Sequence, residues 1–106
     1  MNMKSLMLYA LAALLYVAGG VCMKYSAGLT RWAPTLTLMA AFSAGALVQA
    51  WAMRQEELGT SYAVVLGLEA LLALAAGRFL FGEGITLRAG AGVALVLAGI
   101  VILRTP

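Results

Sequence analysis

Residues 58–76, LGTSYAVVLGLEALLALAA, form a stretch of 19 residues in which Glu69 is the sole charged side chain. About 20 apolar residues in a helix are enough to cross the hydrocarbon core of a bilayer. A carboxylate at that depth is costly unless it faces protein or a water-filled cavity, which makes it a candidate functional residue. The stretch therefore predicts a transmembrane helix with a candidate site at Glu69.

The composition of the whole chain extends this prediction. The 106 residues are 64% hydrophobic and 10% charged, with a mean hydropathy of +1.00. A soluble domain of this size would need more polar surface than the sequence contains. The composition predicts an integral membrane protein in contact with lipid, and the net charge of +3 suits a membrane surface better than nucleic acid.

Charged and helix-breaking residues divide the chain into four apolar segments. We expect a single all-α transmembrane domain, residues 1–106, with spans at about 5–23, 33–53, 58–80 and 86–103. The segments lack the alternation of polar and apolar residues that a membrane β-barrel needs, which favours helices. The first segment is long for a signal peptide and further spans follow it, so we expect a retained first helix.

Cationic residues near the span ends set the orientation of a membrane protein. The predicted spans place Lys4, Arg54 and Arg104 on one side and Lys24, Arg31 and Arg88 on the other. The division is three against three, or four against three if Arg78 extends to the second side. This balance allows insertion in both orientations and hence an antiparallel homodimer. Alternatively, so few charges carry no information, or a partner chain fixes the orientation.

Few residues offer reactive chemistry. The chain has no His and a single cysteine, Cys22, which excludes an internal disulfide and a Cys-based metal site. No nucleophile–base pair, metal-ligand set or phosphate-binding loop is recognisable. We therefore expect neither an enzyme nor a bound cofactor.

Several short motifs resemble those of the small multidrug resistance family, a four-helix branch of the drug/metabolite transporter superfamily. They include MKYS at 23–26 with the following Gly28, Thr30, Arg31 and Pro34; GTSYA at 59–63; FGEGIT at 81–86; and the pair Gly92 and Gly99. The resemblance covers nearly the whole chain without gaps. It implies a multi-pass protein of the bacterial cytoplasmic membrane that moves small molecules by alternating access as an antiparallel dimer of identical or paired subunits.

The resemblance also implies a substrate site, but this sequence differs from the family at two of the positions that form it. Many family members exchange protons for lipophilic cations or guanidinium compounds through a carboxylate on the first helix. The matching residue here is Tyr16, whose phenol stays protonated near neutral pH. The pocket aromatic of the third helix is replaced by Val65, while Tyr62 is retained.

Glu69 follows Tyr62 by seven residues and Val65 by four, so all three share one helical stripe. If that stripe faces the dimer cavity, Glu69 would bind a proton or a cation, but not both strongly. Alternatively, Glu69 is a hydrogen-bonded polar group between helices. Tyr16 would donate a hydrogen bond to a substrate or to Glu69, or else pack across the dimer. The predicted substrate and proton site is Glu69, Tyr62, Tyr16 and Val65.

We expect the remaining candidate residues to act outside the substrate site. Gly92 and Gly99 give the fourth helix a surface for close helix contact, which indicates dimerisation. Arg78 is expected to extend to the headgroup region, or to bind an anionic headgroup together with Arg31 or Arg88. Two further residues, Glu83 and Gln49, are expected to fix a turn and to make a helix contact, respectively.

The sequence thus predicts a small membrane transporter of a cationic or polar substrate, proton-coupled through Glu69. One alternative is a flippase, or a flippase subunit, for a lipid-linked or amphipathic substrate, because some superfamily relatives without the first-helix acid have that activity. Another is a non-transporting partner subunit.

Overall fold

The computed structural model describes residues 2–104, which form four α-helices connected by short loops. The helices are α1 (Met3–Tyr25), α2 (Trp32–Ala52), α3 (Leu58–Phe81) and α4 (Leu87–Arg104). Their ends lie within two residues of the predicted spans. The first three are long and apolar enough to cross a membrane, and α4 is a shorter apolar helix. The predicted all-α membrane fold is confirmed.

The helix ends are set by local hydrogen bonds and by one glycine. The Asn2 side chain accepts a hydrogen bond from the backbone N–H of Ser5 at 2.8 Å, which satisfies a free donor at the start of α1. Gly82 ends α3 with a φ of 65°, a conformation that a side chain would oppose. The Thr86 hydroxyl then accepts from the N–H of Ala89 at 3.1 Å and begins α4.

α1 is the central helix of the protein. It packs against both α2 and α3, and α4 packs against α3 alone among the described helices. The buried core consists of small and aromatic side chains from the first three helices: Tyr9, Ala13, Ala52, Val64 and Val65. Tyr9 and Ser61 are fully buried and share a hydrogen bond of 2.6 Å between their hydroxyl groups. Because a buried hydroxyl needs a partner, this bond fixes α1 against α3.

α4 is the most exposed of the four helices. Its side chains at Leu87, Leu95 and Ile102 are 92%, 74% and 72% exposed. It contacts α3 where Gly67 leaves room for the side chain of Ile100. Such a continuous apolar surface is expected to contact lipid or another protein chain.

Short loops make successive helices antiparallel, so the charged residues collect at two ends. At the end that we call the Lys4 end, Lys4 and Arg54 lie 5.3 and 4.4 Å from the ring centre of Trp51. The opposite, Lys24 end carries four cations: Lys24, Arg31, Arg78 and Arg88. All of them are exposed, as expected for residues at headgroup depth.

Candidate functional site

The site begins with a polar contact between α1 and α2. The Tyr16 hydroxyl donates a hydrogen bond of 2.7 Å to Oε1 of Gln49, and the Tyr16 ring stacks on Phe42 with 5.8 Å between ring centres. Gln49 therefore makes the helix contact that its sequence position favours. The Tyr16 hydroxyl thus donates to Gln49 and not to Glu69 within the described chain, while its predicted roles toward a substrate or across a dimer stay predictions.

Gly45 makes this contact geometrically feasible. A Cβ atom added at Gly45 would lie 2.7 Å from Cε1 and 2.9 Å from Cδ1 of Tyr16, closer than atoms in protein structures approach. One edge of the Tyr16 ring, at Cδ1 and Cε1, therefore lies against the α2 backbone at Gly45, and any larger residue there would displace the ring.

Glu69 lies where two grooves meet. The first, which we call the Gln49 groove, has a volume of about 210 Å³ and is lined by Tyr16, Phe42, Gln49, Tyr62, Val65, Leu66 and Glu69. The second, the Lys24 groove, has a volume of about 280 Å³ and extends from Tyr16, Phe42 and Glu69 past Gly20 and Ala73 to Lys24, Phe81 and Glu83. Tyr16, Phe42 and Glu69 line both grooves.

All four residues of the predicted substrate and proton site line the Gln49 groove. Tyr62 is 51% exposed, whereas Val65 is 2% exposed and contributes mainly to the floor. Their roles in binding stay predictions. Two other predicted sets of residues lie outside both grooves. They are the proposed dimerisation glycines of α4, Gly92 and Gly99, and the proposed headgroup contacts, Arg31, Arg78 and Arg88.

An ion pair closes the far end of the Lys24 groove. Lys24, at the end of α1, pairs with Glu83 in the loop after α3, and its ammonium group lies 4.6 Å from the ring centre of Phe81. Glu83 is a loop residue, as expected. The pair is half-exposed and is therefore worth little to stability, but it ties the end of α1 to the loop after α3 at the groove mouth.

The sequence did not single out Phe42 or Gly45. Phe42 and Gln49 are seven residues apart on α2, so they share a face, and the polar Gln49 in an apolar span marks that face as one in protein contact. The position of Gln49 is therefore a sequence signal that points to Phe42, which lies on the same face of α2. The need for glycine at 45 becomes visible only when the ring of Tyr16 is located.

The Gln49 groove combines one carboxylate, Glu69, with three aromatic rings: Tyr16, Phe42 and Tyr62. A carboxylate and aromatic faces are the groups that bind small organic cations in proteins. The two volumes fall below the range of drug-sized pockets, about 300–1,000 Å³, so a molecule of few atoms fits best. Within residues 2–104, no three His, Cys, Asp or Glu side chains come together as metal ligands.

Comparison with known proteins agrees with this architecture. The family model described as "Small Multidrug Resistance protein" matches residues 3–96. A "Guanidinium exporter" of Citrobacter freundii is 35% identical over 94 residues, which cover 89% of this chain and 90% of that protein. A "Guanidinium exporter" of Escherichia coli (strain K12) is 34% identical over 100 residues, covering 94% of this chain and 95% of that protein.

These relatives are bacterial exporters, which is consistent with the expectation that the chain is not an enzyme. Several membrane-spanning helices and matches over most of both sequences identify a multi-pass protein of the bacterial inner membrane. The chain belongs to the small multidrug resistance family and is a small membrane transporter of small substrates.

Proposed function

We propose that the chain moves small organic cations across the membrane in exchange for protons, and that Glu69 is the group that binds either one. The position of Glu69 carries the proposal, because its carboxylate lines both grooves together with Tyr16 and Phe42. An unpaired carboxylate is costly at membrane depth. Binding a proton or a cation removes that cost, and the two ligands compete for one charge.

The class of cation follows from the walls of the grooves and from the relatives. The aromatic rings of Tyr16, Phe42 and Tyr62 favour a cation with delocalised or well-shielded charge. The matching curated proteins of Citrobacter freundii and Escherichia coli are guanidinium exporters. Guanidinium and its small alkyl derivatives are therefore the first substrates to test.

Alternating access requires a second subunit, and we propose an antiparallel homodimer. Members of the family usually act as dimers. Among the described residues, a Cβ atom added at Gly92 or Gly99 would meet no atom within 4 Å beyond its own stretch of helix, so packing within one chain does not require glycine there. These glycines are therefore suited to close contact with a second α4. The balanced distribution of cations between the two ends supports opposite orientations of the subunits.

Proton release on substrate addition tests the role of Glu69. Guanidinium chloride is added to purified protein in weakly buffered detergent solution, and a pH indicator reports the protons displaced. We expect saturable release from the wild type and none from Glu69→Gln. Glu57→Gln is the matched control, because Glu57 is an exposed residue before α3 that lines neither groove.

Both variants are first checked for a monodisperse elution profile and an unchanged thermal unfolding midpoint. Release that persists unchanged in folded Glu69→Gln would remove Glu69 from the exchange. Loss of release in both variants would mean that the effect is not specific to the groove.

A second candidate function is the translocation of an amphipathic substrate. Tyr62 and Leu66 are 51% and 57% exposed on the wall of the Gln49 groove, so this groove opens on the outer surface of the chain. Exposed Arg78 and Arg88 lie at the Lys24 end, where a phosphate headgroup would be located. Saturable binding of dodecyl phosphate that is lost in Arg78→Gln, without guanidinium-induced proton release, would favour this function over cation exchange.

A further inference from the structure

One buried polar group in the Gln49 groove is only half-satisfied. Gln49 is 5% exposed, and its Oε1 accepts the hydrogen bond from Tyr16. Its Nε2 has no hydrogen-bond partner among the described residues 2–104. Buried amide groups are almost always paired, and those that are not call for an explanation such as a missing ligand.

The contact with Tyr16 determines which kind of partner is missing. Because Oε1 of Gln49 is already engaged by the Tyr16 hydroxyl, the free end of the side chain is the amino group. An amide amino group donates two hydrogen bonds and accepts none. The missing partner must therefore offer an acceptor atom.

The groove joins this donor to the acid. Gln49 and Glu69 line the same space of about 210 Å³, together with Tyr62 and Val65. A molecule bound in that volume lies against both side chains. Because Nε2 of Gln49 is itself buried, its N–H reaches the molecule only when the side chain shifts toward the groove. Its positive group would bind Glu69, and an acceptor oxygen on the same molecule would receive the Gln49 N–H.

We propose that Gln49 is a specificity-determining residue of the transporter, and that its Nε2 donates a hydrogen bond to an oxygen acceptor on the transported cation. Among the small organic cations that the site accepts, those that carry an ether, hydroxyl or carbonyl oxygen should then bind more tightly than guanidinium or purely alkylated cations of the same size. This inference rests on the proposed cation site at Glu69. A polar site of this kind discriminates against an analogue without the acceptor, because the buried N–H then stays unpaired.

Two isosteric probes isolate the oxygen. Butyltrimethylammonium and (2-methoxyethyl)trimethylammonium have the same charged head and chain length and differ by one CH₂ replaced by an ether oxygen. Their Kd values are measured by isothermal titration with the purified full-length protein in detergent micelles. The ratio of the two Kd values cancels the contribution of the shared head, so that it reports on the oxygen alone.

We expect the ratio to shift toward butyltrimethylammonium by about three- to tenfold in Gln49→Leu, the loss of one hydrogen bond. Gln49→Met keeps the length of the side chain and should shift the ratio by a similar factor if the leucine variant unfolds. Gln55→Leu is the matched control, because Gln55 is an exposed residue in the loop after α2 and lines neither groove at Glu69. Its ratio should equal that of the wild type.

Each other outcome overturns the inference in a distinguishable way. Equal ratios in the wild type, Gln49→Leu and Gln49→Met, with both probes bound, would overturn the role of Gln49 and leave the cation site intact. A shift toward the ether probe in Gln49→Leu would mean that the amide oxygen, not the amino group, faces the groove. Failure of the wild type to bind either probe would overturn the proposed cation site, and this inference with it.

Discussion

Replacement of Gly45 by alanine is the most direct test of the packing around Tyr16. The added Cβ would lie 2.7 Å from Cε1 of the tyrosine ring, so the ring or α2 must move. Overpacking of this kind typically costs about 1–3 kcal/mol. Displacing the ring also breaks the 2.7 Å hydrogen bond to Gln49, worth about 1 kcal/mol. Alanine regains up to about 1 kcal/mol through its higher helix propensity.

The net expectation is therefore a loss of about 1–3 kcal/mol in the free energy of unfolding of Gly45→Ala. The assay is equilibrium unfolding in mixed micelles, followed by circular dichroism. Gly20→Ala is the control, because a Cβ atom there meets none of the described side chains and no other helix within 4 Å, so the propensity gain should stand alone. It should be as stable as the wild type or slightly more stable.

A double-mutant cycle with Tyr16→Ala identifies the cause. Once the ring is absent, Gly45→Ala should no longer destabilise the protein, which gives a coupling energy of at least about 1 kcal/mol. The reasoning fails if Gly45→Ala has the stability of the wild type. It fails equally if the cost of Gly45→Ala is the same with and without the ring of Tyr16.

Three further predictions concern other contacts. Gly92→Leu should weaken dimerisation, measured by analytical ultracentrifugation in detergent. It should leave the helical content unchanged, because the position is open among the described residues of one chain. An unchanged dimer would mean that the contact lies elsewhere. Tyr9→Phe should lower the free energy of unfolding by about 1–2 kcal/mol, because it leaves the buried Ser61 hydroxyl unpaired. Adding Ser61→Ala to Tyr9→Phe should recover part of that loss, and no recovery would contradict the pairing. Lys24→Gln should lower the free energy of unfolding by no more than about 1 kcal/mol, and by less in high salt, because the pair of Lys24 with Glu83 is half-exposed. A larger loss that does not depend on salt would mean that the pair is shielded from solvent.

The helices could be predicted from the sequence because a membrane span needs a long apolar run, and charged residues mark where each run ends. The stripe of Tyr62, Val65 and Glu69 could be predicted as well, since residues four and seven apart share a face of any helix. The structure brings these residues together with Tyr16 along one groove.

Contacts between helices were harder to predict from the sequence than the helices themselves. Lys24 and Glu83 are 59 residues apart, and nothing in either segment indicates that they meet. The sequence left the partner of Tyr16 open between a substrate, Glu69 and a packing contact across the dimer, and did not include Gln49. The rotation of α2 about its axis, which no helical period encodes, decides which polar group the tyrosine meets.

Within residues 2–103, every side chain that lines the two grooves belongs to α1, α2, α3 or the loop after α3, and none belongs to α4. Substitutions that change what the grooves accept therefore leave the exposed surface of α4 as it is. With the dimer contact on α4 proposed above, the acid and the aromatics of the grooves could be exchanged without altering the surface through which two subunits pair. Two subunits with different grooves would then be able to form a mixed dimer without any change in α4.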